Sequence, residues 1–325
     1  MADDQPWKIP PIIQELAAGV QEPPSRYVVG EQDRPAVAAA AMPEPFPSLT
    51  SGSAGCPQTT APTTRPPSSF PPCRIGASSC PTNLRLCVSV QAVGHGMDPE
   101  FLAKMMGVTR GFFNLPLDEN QKYSNLTNGK EFRFEGYGND MVLSEDQVLD
   151  WCDRLYLTVE PESRIIRSLW PAQPPAFCDV LREYTARCWE IARLLGLHEG
   201  RFVVMMDEGV AMTHARFNYY PRCPEPDLVF GLKPHSDASV ITVVLIDDAV
   251  SGLQVQKPND GSGVWYDVPI VPKALLFEST VHQVRLMRSS LDTSLHQLTE
   301  IPLASFRPRL TIQSVAGLPT KSWQG

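Results

Sequence analysis

The spacing of apolar residues along the chain changes near Glu208 from a helical period to a period of two. Before this point, residues 101–113 and 174–197 place apolar side chains three or four positions apart, which is typical of amphipathic helices. After it come short runs rich in β-branched and aromatic residues, at 214–220, 240–246, 252–256 and 264–270. Helices followed by many short strands predict a mainly β fold with flanking helices, in the form of an antiparallel barrel or jelly roll.

Length, charge and cysteine content exclude several classes of protein. The 325 residues suffice for one large domain with its own core, and a net charge of −8 argues against a nucleic-acid binder. No apolar run is long enough to span a membrane, and the first residues lack the basic and apolar parts of a secretory signal. Eight irregularly spaced cysteines are typical of reduced thiols. We therefore expect a cytoplasmic protein without nucleic-acid or membrane partners, and we expect it to be a monomer.

Five segments differ in composition, and we take them as the expected organisation of the chain. An N-terminal segment (1–46) precedes an irregular segment rich in Pro, Ser and Thr (47–91), a composition that buries too little apolar surface to fold. A helical flank (92–207) and a β core (208–276) follow. In the last segment (277–325) no clean strand alternation is found, so we expect the β fold to be incomplete at its C-terminal end.

The best candidate for chemistry is the run from Lys233 to Asp237, which contains a His-x-Asp pair. In an extended chain, residues two apart point to the same side, so His235 and Asp237 can offer a nitrogen and an oxygen to one metal. Together with a distant second histidine they would form the facial triad of non-haem Fe(II) proteins. A His-x-Asp pair alone is a weak signal, because most such pairs are ordinary surface residues.

The surrounding motifs make the signal specific. They are ARFNYYPRCP (215–224), ASVITVVL (238–245), GFFNLP (111–116), EGYG (135–138), LDWCD (149–153), GLQV (252–255) and WYDV (265–268). In this order they closely resemble the plant Fe(II)/2-oxoglutarate-dependent dioxygenases, the superfamily of anthocyanidin synthase, flavonol synthase and the senescence-related oxygenases. The resemblance covers residues 1–44 and 92–276.

The resemblance implies a double-stranded β-helix, the jelly roll of the cupin type, with Fe(II) bound by His235 and Asp237. It also implies that Asn218 and Tyr220 contact 2-oxoglutarate as cosubstrate, with ascorbate as a supporting reductant. An amide and a phenol two positions apart face the same way and can both donate to a carboxylate, which agrees with this assignment. The implied activity is hydroxylation, demethylation or desaturation of a small organic molecule of plant specialised metabolism or hormone type.

Two segments depart from the family pattern, at about 46–91 and 277–325. The second contains two candidates for the third iron ligand, His282 and His296. The Arg-x-Ser run at Arg288 lies before His296 and only six residues past His282, closer than the family pattern requires. A second interpretation therefore stays open. The chain would be an impaired, truncated or frame-altered family member that acts at most as a weak metal-binding or interaction protein.

Overall fold

The computed structural model describes residues 6–31, 34, 48–50, 89–194, 212–236, 241–248, 252–256, 265–279, 283–286 and 309–317. Its α-helices are α1 (Ile13–Gly19), α2 (Pro99–Phe113), α3 (Leu117–Gln121) and α4 (Phe177–Leu194). Its strands are β1 (Ser48–Thr50), β2 (Ser89–Val93), β3 (Leu126–Thr127), β4 (Glu131–Phe132), β5 (Gly136–Gly138), β6 (Asp153–Glu160), β7 (Met212–Tyr220), β8 (Leu232–Ser236), β9 (Ile241–Ile246), β10 (Leu253–Gln256), β11 (Trp265–Asp267), β12 (Leu275–Ser279), β13 (Gln283–Leu286) and β14 (Arg309–Gly317).

Helices α2 and α4 form the helical flank. The side chain of Asp98 caps α2 by accepting a hydrogen bond from the backbone N–H of Glu100, and Pro99 occupies the first turn, where its missing N–H costs nothing. Apolar residues of α4, among them Val180, Leu181 and Tyr184, are fully or almost fully buried. Both helices therefore present one apolar stripe to the β-sheet.

Two sheets form the β structure. The larger sheet has eight strands in the order β1, β2, β12, β9, β14, β7, β6 and β5, and the smaller has four in the order β11, β10, β13 and β8. A separate hairpin joins β3 and β4. Most neighbours are antiparallel, but β14 lies parallel to both β7 and β9, and β1 lies parallel to β2. The sheet is thus mixed, whereas the sequence predicted antiparallel pairing.

Apolar side chains fill the two spaces beside the larger sheet. One face packs on α2 and α4 through residues such as Leu155, Leu157 and Phe217. On the opposite face Val244 and Leu276 of the larger sheet meet Leu232, Leu253 and Val255 of the smaller sheet. This second cluster is the core of a two-sheet jelly roll, the predicted fold class, and we call it the inter-sheet core.

The helices and the four predicted strand runs are confirmed, with shifted ends. The expected helix at 174–197 begins at Phe177, and the run at 264–270 is a strand only at Trp265–Asp267. The sequence interpretation missed β6, a buried eight-residue strand, and also β13 and β14 beyond residue 276. Between residues 47 and 91 the structure describes only β1 and the start of β2, so the expected irregular segment lies mostly outside the described residues.

The described residues bear on two expectations, the absence of a membrane span and the reduced state of the cysteines. Across the described ranges, no helix combines the length and apolar character needed to cross a bilayer. Four of the eight cysteines fall within those ranges, and each carries a free thiol: Cys152, Cys178, Cys188 and Cys223.

One carboxyl group, at the start of β6 near the edge of the larger sheet, anchors the N-terminal helix α1. The two oxygens of Asp153 accept the backbone N–H groups of Ile13 and Gln14, each at 2.8 Å. The side chain of Gln14 extends the contact, because it donates to the carbonyl of Phe113 and accepts from the hydroxyl of Tyr137. Asp153 thus acts as an N-cap supplied from a distant strand.

Burial of Asp153 predicts a pH dependence of stability. Loss of hydration raises the pKa of this carboxyl from 3.8 to about 7, although the two N–H donors act in the opposite direction. The folded protein then holds a proton that the unfolded chain releases near pH 4, so the stabilisation is complete below pH 4. It is lost as pH rises through about 7, by up to about 4 kcal/mol. The phenols of Tyr27, Tyr137 and Tyr219 near it have raised pKa values and stay neutral in this range.

Urea denaturation at a series of pH values measures this effect. We expect the unfolding free energy of the wild type to fall more steeply between pH 4 and pH 8 than that of Asp153→Asn, which cannot titrate. Parallel pH profiles for the two proteins would show that Asp153 does not carry the dependence.

Gly136 sits where only glycine fits. Its φ of +113° lies in the region that side chains disfavour, and a Cβ would lie 2.7 Å from the carbonyl oxygen of Tyr123 and 2.8 Å from the N atom of Asn125. Both neighbours are backbone atoms and cannot move aside cheaply. We expect Gly136→Ala to destabilise the fold by about 2 kcal/mol.

Gly107 provides the matched control. It is exposed within α2, and a Cβ there would meet nothing within 4 Å. Gly107→Ala should stabilise by about 0.5–1 kcal/mol, because alanine is the better helix former. Thermal or urea denaturation of both variants decides the matter, and equal effects of the two substitutions would contradict the strain at Gly136.

Candidate active site

Strand β7 separates two environments by alternation of its side chains. Ala215, Phe217 and Tyr219 belong to the apolar cluster between the larger sheet and the helices. Residues one position away point to the opposite face. Tyr220, on that face, packs against the inter-sheet core. His214, Arg216 and Asn218 share the face of Tyr220, so β7 presents four polar or aromatic side chains to the space between the sheets.

A β-bulge turns the predicted ligand His235 toward the same space. In the pairing of β8 with β13, Leu232 is opposite Leu286 and His235 is opposite Val284, with a register shift between them. Between these two pairs, two residues of β8 lie opposite one residue of β13, which is the signature of a bulge. Without it, residues 232 and 235 would face opposite sides, but here His235 shares the face of Leu232, a member of the inter-sheet core.

The imidazole of His235 is held in one tautomer. Its Nδ1 lies 2.8 Å from the carbonyl oxygen of Lys233. A carbonyl can only accept, so Nδ1 carries the proton and Nε2 has the lone pair. Metal-binding histidines in proteins are oriented in this way, by a hydrogen bond from the nitrogen that does not bind the metal.

Asn218 and Tyr220 bring donors that the described residues leave unused. Asn218 is fully buried, and its Nδ2 makes no hydrogen bond within the described part of the chain. The buried hydroxyl of Tyr220 has no partner of good geometry there either, and the weakly polar thiol of Cys152 lies beside it. Burial, with smaller effects from that thiol, raises the pKa of Tyr220 well above its ordinary value, so the hydroxyl keeps its proton. Buried donors without partners are costly and are typical of ligand sites.

A cluster of charges lies beside Asn218. The carboxylate of Asp140 contacts Arg216 Nη2 at 2.6 Å and Arg154 Nε at 2.5 Å. Burial alone would raise the pKa of Asp140, but the guanidinium groups of Arg216 and Arg154 outweigh it and hold that pKa well below its usual range. One carboxylate thus serves two arginines, and the cluster carries one positive charge in excess.

Aromatic rings continue from this cluster to the surface. The ring of Tyr156 lies 5.2 Å from that of His214 and 6.3 Å from that of Phe134, which is 67% exposed. The guanidinium carbon of Arg154 lies 5.3 Å from the Tyr156 ring centroid. Sequence reasoning did not identify Phe134, Tyr156 or the charge cluster, because the strand β6 that carries Arg154 and Tyr156 was not recognised.

Three of the predicted ligands fall outside the described residues: Asp237, His282 and His296. Within the described ranges, no group of three His, Cys, Asp or Glu side chains is placed to hold a metal ion. The structure therefore places His235, Asn218 and Tyr220 toward one inter-sheet space, and the rest of the predicted site stays a prediction.

Comparison with known families fits this geometry. Residues 212–312 match the model of the 2OG-Fe(II) oxygenase superfamily, and residues 89–175 match the N-terminal domain of non-haem dioxygenases in morphine synthesis. The chain belongs to the 2OG-Fe(II) oxygenase superfamily. The first match begins at β7, includes β8 with His235, and extends past residue 276, where the recognised motifs end.

The chain resembles curated plant oxygenases over part of their length. It is 36% identical over 194 residues to Protein SRG1 of Arabidopsis thaliana, which covers 57% of this chain and 52% of that protein. It is 34% identical over 194 residues to oxoglutarate-dependent flavonoid 7-O-demethylase 1 of Ocimum basilicum, covering 57% of this chain and 50% of the relative. The chain thus spans about half the length of these relatives.

A solved structure supports the fold. A crystal structure of JOX2 in complex with 2OG, Fe and JA superposes with a TM-score of 0.65 at 24% identity, covering 88% of this chain and 81% of that one. This similarity agrees with the two-sheet jelly roll described above.

The residues present fit the groups that this superfamily uses. A dicarboxylate needs hydrogen-bond donors and positive charge, and the site offers the Asn218 amide, the Tyr220 hydroxyl and an excess charge from Arg154 and Arg216. A divalent iron needs an imidazole nitrogen with a defined orientation, and the contact of His235 Nδ1 with the Lys233 carbonyl leaves Nε2 for that role.

Proposed function

We propose that this chain is an Fe(II)- and 2-oxoglutarate-dependent oxygenase that hydroxylates, demethylates or desaturates a small organic molecule of plant specialised metabolism or hormone type. The observation that carries the proposal is the pair of buried donors, Asn218 Nδ2 and Tyr220 Oη, on a face shared with positive charge and opposite the imidazole of His235. When bound, Fe(II) would activate O2 as the oxidant: one oxygen atom would convert 2-oxoglutarate to succinate and CO2, and the other would enter the substrate in hydroxylation or demethylation, or leave as water in desaturation.

Each residue has a defined task in this proposal. His235 would bind the iron through Nε2, with its ring fixed at Nδ1 by the carbonyl of Lys233, and Asp237, the next residue in the sequence after Ser236, would add a carboxylate ligand. Asn218 and Tyr220 donate to 2-oxoglutarate, and the high pKa of Tyr220 keeps its proton available for that bond. Ascorbate is expected to keep the iron reduced.

The pairing of β8 with β13 supports His282, in preference to His296, as the third ligand. Gln283 is paired with Ser236, and Val284 with His235, in antiparallel register. Asp237 follows Ser236 in the sequence and His282 precedes Gln283. One further step of the same ladder would make Asp237 and His282 partners, next to His235. No such register argument exists for His296.

The aromatic rings beside the charge cluster support an organic substrate with an apolar, flat part. Phe134, Tyr156 and His214 offer ring faces from the surface inward. Aromatic side chains bind such groups by apolar contact and stacking. The demethylase from basil, which by its name acts on a flavonoid, is consistent with a substrate of this type.

A binding experiment tests the two donors. Tyr220→Phe removes one hydroxyl that would bond a carboxylate, so calorimetry with 2-oxoglutarate and Mn(II) should show binding weakened about tenfold or more. Tyr219→Phe is the matched control, because Tyr219 lies on the opposite face of β7, stacked on Phe113 at 5.0 Å. Its affinity should match the wild type. Equal losses in the two variants, or none in either, would contradict the assignment.

A turnover experiment tests the metal site. Succinate formation with Fe(II), 2-oxoglutarate and ascorbate should be lost in His235→Ala, together with stoichiometric Mn(II) binding, because a ligand is removed. Among the two remote candidates, His282→Ala should lose metal binding and turnover while His296→Ala keeps both. The reverse result would assign His296. A wild type that binds neither metal nor 2-oxoglutarate would favour the second interpretation, an impaired family member.

A further inference from the structure

The orientation of the Asn218 amide decides what this residue can offer to a ligand. A carboxamide has an accepting oxygen and a donating nitrogen of similar shape, and rotation by half a turn exchanges them. A carboxylate ligand requires the nitrogen. A neighbouring group must therefore hold the Asn218 amide in the orientation that directs its nitrogen at the ligand.

Arg216 is that neighbour in this structure. Its Nε–H donates to Oδ1 of Asn218 at 2.8 Å, across the two-residue spacing that places both side chains on one face of β7. A guanidinium has only donors, so the atom that faces it must be the amide oxygen. Nδ2 of Asn218 is then the donor left toward the inter-sheet space, as its lack of a partner among the described residues shows.

Arg216 is itself held at its other end. Its Nη1 and Nη2 donate to the two carboxylate oxygens of Asp140 at 3.3 and 2.6 Å. Such a bidentate pair fixes the plane of the guanidinium, and with it the direction of Nε–H. The three side chains form a chain of contacts from Asp140 through Arg216 to Asn218.

Arg154 serves as a comparison for Arg216. It has the same charge and contacts the same carboxylate, but its other hydrogen bond goes elsewhere. It too pairs with Asp140, through Nε at 2.5 Å, and is almost fully buried. Its Nη1 donates to the carbonyl of Phe134 at 2.9 Å rather than to an amide side chain. Arg154 and Arg216 thus supply the same charge, but only Arg216 directs Asn218.

We propose that Arg216 is a positioning residue, braced by Asp140, that fixes the Asn218 amide with its N–H groups directed at 2-oxoglutarate. This inference rests on the proposed function for its ligand, but the fixed amide is a property of the ligand-free protein. Arg216 acts through Asn218 and makes no contact of its own with the cosubstrate.

The first test needs no ligand. In a protein labelled with ¹⁵N-asparagine, the Asn218 side-chain amide signal is assigned by its loss in Asn218→Ala. We expect this signal to shift and broaden in Arg216→Met and in Arg216→Lys, because neither variant retains the fork that joins Asn218 to Asp140. In Arg154→Met, which removes the same charge from the position opposite Asn218 in the ladder, the signal should shift but stay a single sharp line, because the bond from Arg216 remains. An unchanged signal in Arg216→Met overturns the proposal.

The second test is a double-mutant cycle for 2-oxoglutarate binding, measured by calorimetry with Mn(II) and checked by thermal denaturation of each variant. Arg216→Met should weaken binding about tenfold in the wild type and less than about twofold when Asn218 is already alanine. Arg216→Lys should weaken it as much as Arg216→Met, although it retains the charge. An equal loss in both backgrounds, or full affinity in Arg216→Lys, means that Arg216 acts by its own charge and overturns the proposal.

The two tests separate this inference from the proposed function. If the wild type binds no 2-oxoglutarate, the proposed function fails, and the amide signal alone still decides whether Arg216 orients Asn218. If the wild type binds and the cycle shows no coupling, the proposed function stands and the positioning role is wrong.

Discussion

Burial of β7 on both faces is the constraint on which the site depends. One face must match the apolar helices, and Ala215, Phe217 and Tyr219 do so. The other face carries buried polar side chains, among them His214 and Asn218, so each polar group there needs a partner within the protein or a ligand. Arg216 obtains one from Asp140, but the donors of Asn218 and Tyr220 do not among the described residues. The fold itself thus leaves two buried donors for a ligand to satisfy.

The same burial explains why the charges form a cluster. A single buried guanidinium would be strongly destabilising, and Asp140 offsets two of them at once. Among the described residues of the cluster, one carboxylate faces two guanidinium groups, so one positive charge is in excess, which is unfavourable by itself and favourable when an anion binds. The lowered pKa of Asp140 keeps its carboxylate ionised on mild acidification, so its ion pairs with Arg216 and Arg154 are retained.

The strands and site residues that could be predicted from the sequence are those marked by a pattern of neighbouring residues. The change to a two-residue period located β7, β9 and β10, and the His-x-Asp pair and the NYY run located His235, Asn218 and Tyr220. Strand β6 carried a local signal that was overlooked, because Leu155, Leu157 and Val159 alternate with the more polar residues of the run DRLYLTVE. Asp140 and Arg216 are 76 residues apart, and no local pattern predicts such a pair.

The bulge in β8 shows why a motif alone does not define a site. The spacing in His-x-Asp places the two side chains on one face, but it does not say which face. That choice is made three residues earlier, where Leu232 enters the inter-sheet core and the register then shifts against β13. Had the ladder continued regularly from Leu232, His235 would point outward and its partner on β13 would change by one residue. The one extra residue in β8 therefore turns the His235 imidazole to the face where Asn218 and Tyr220 of β7 have their donors. If Leu232 stayed in the core, a regular strand with the same motif would turn the imidazole away from these donors.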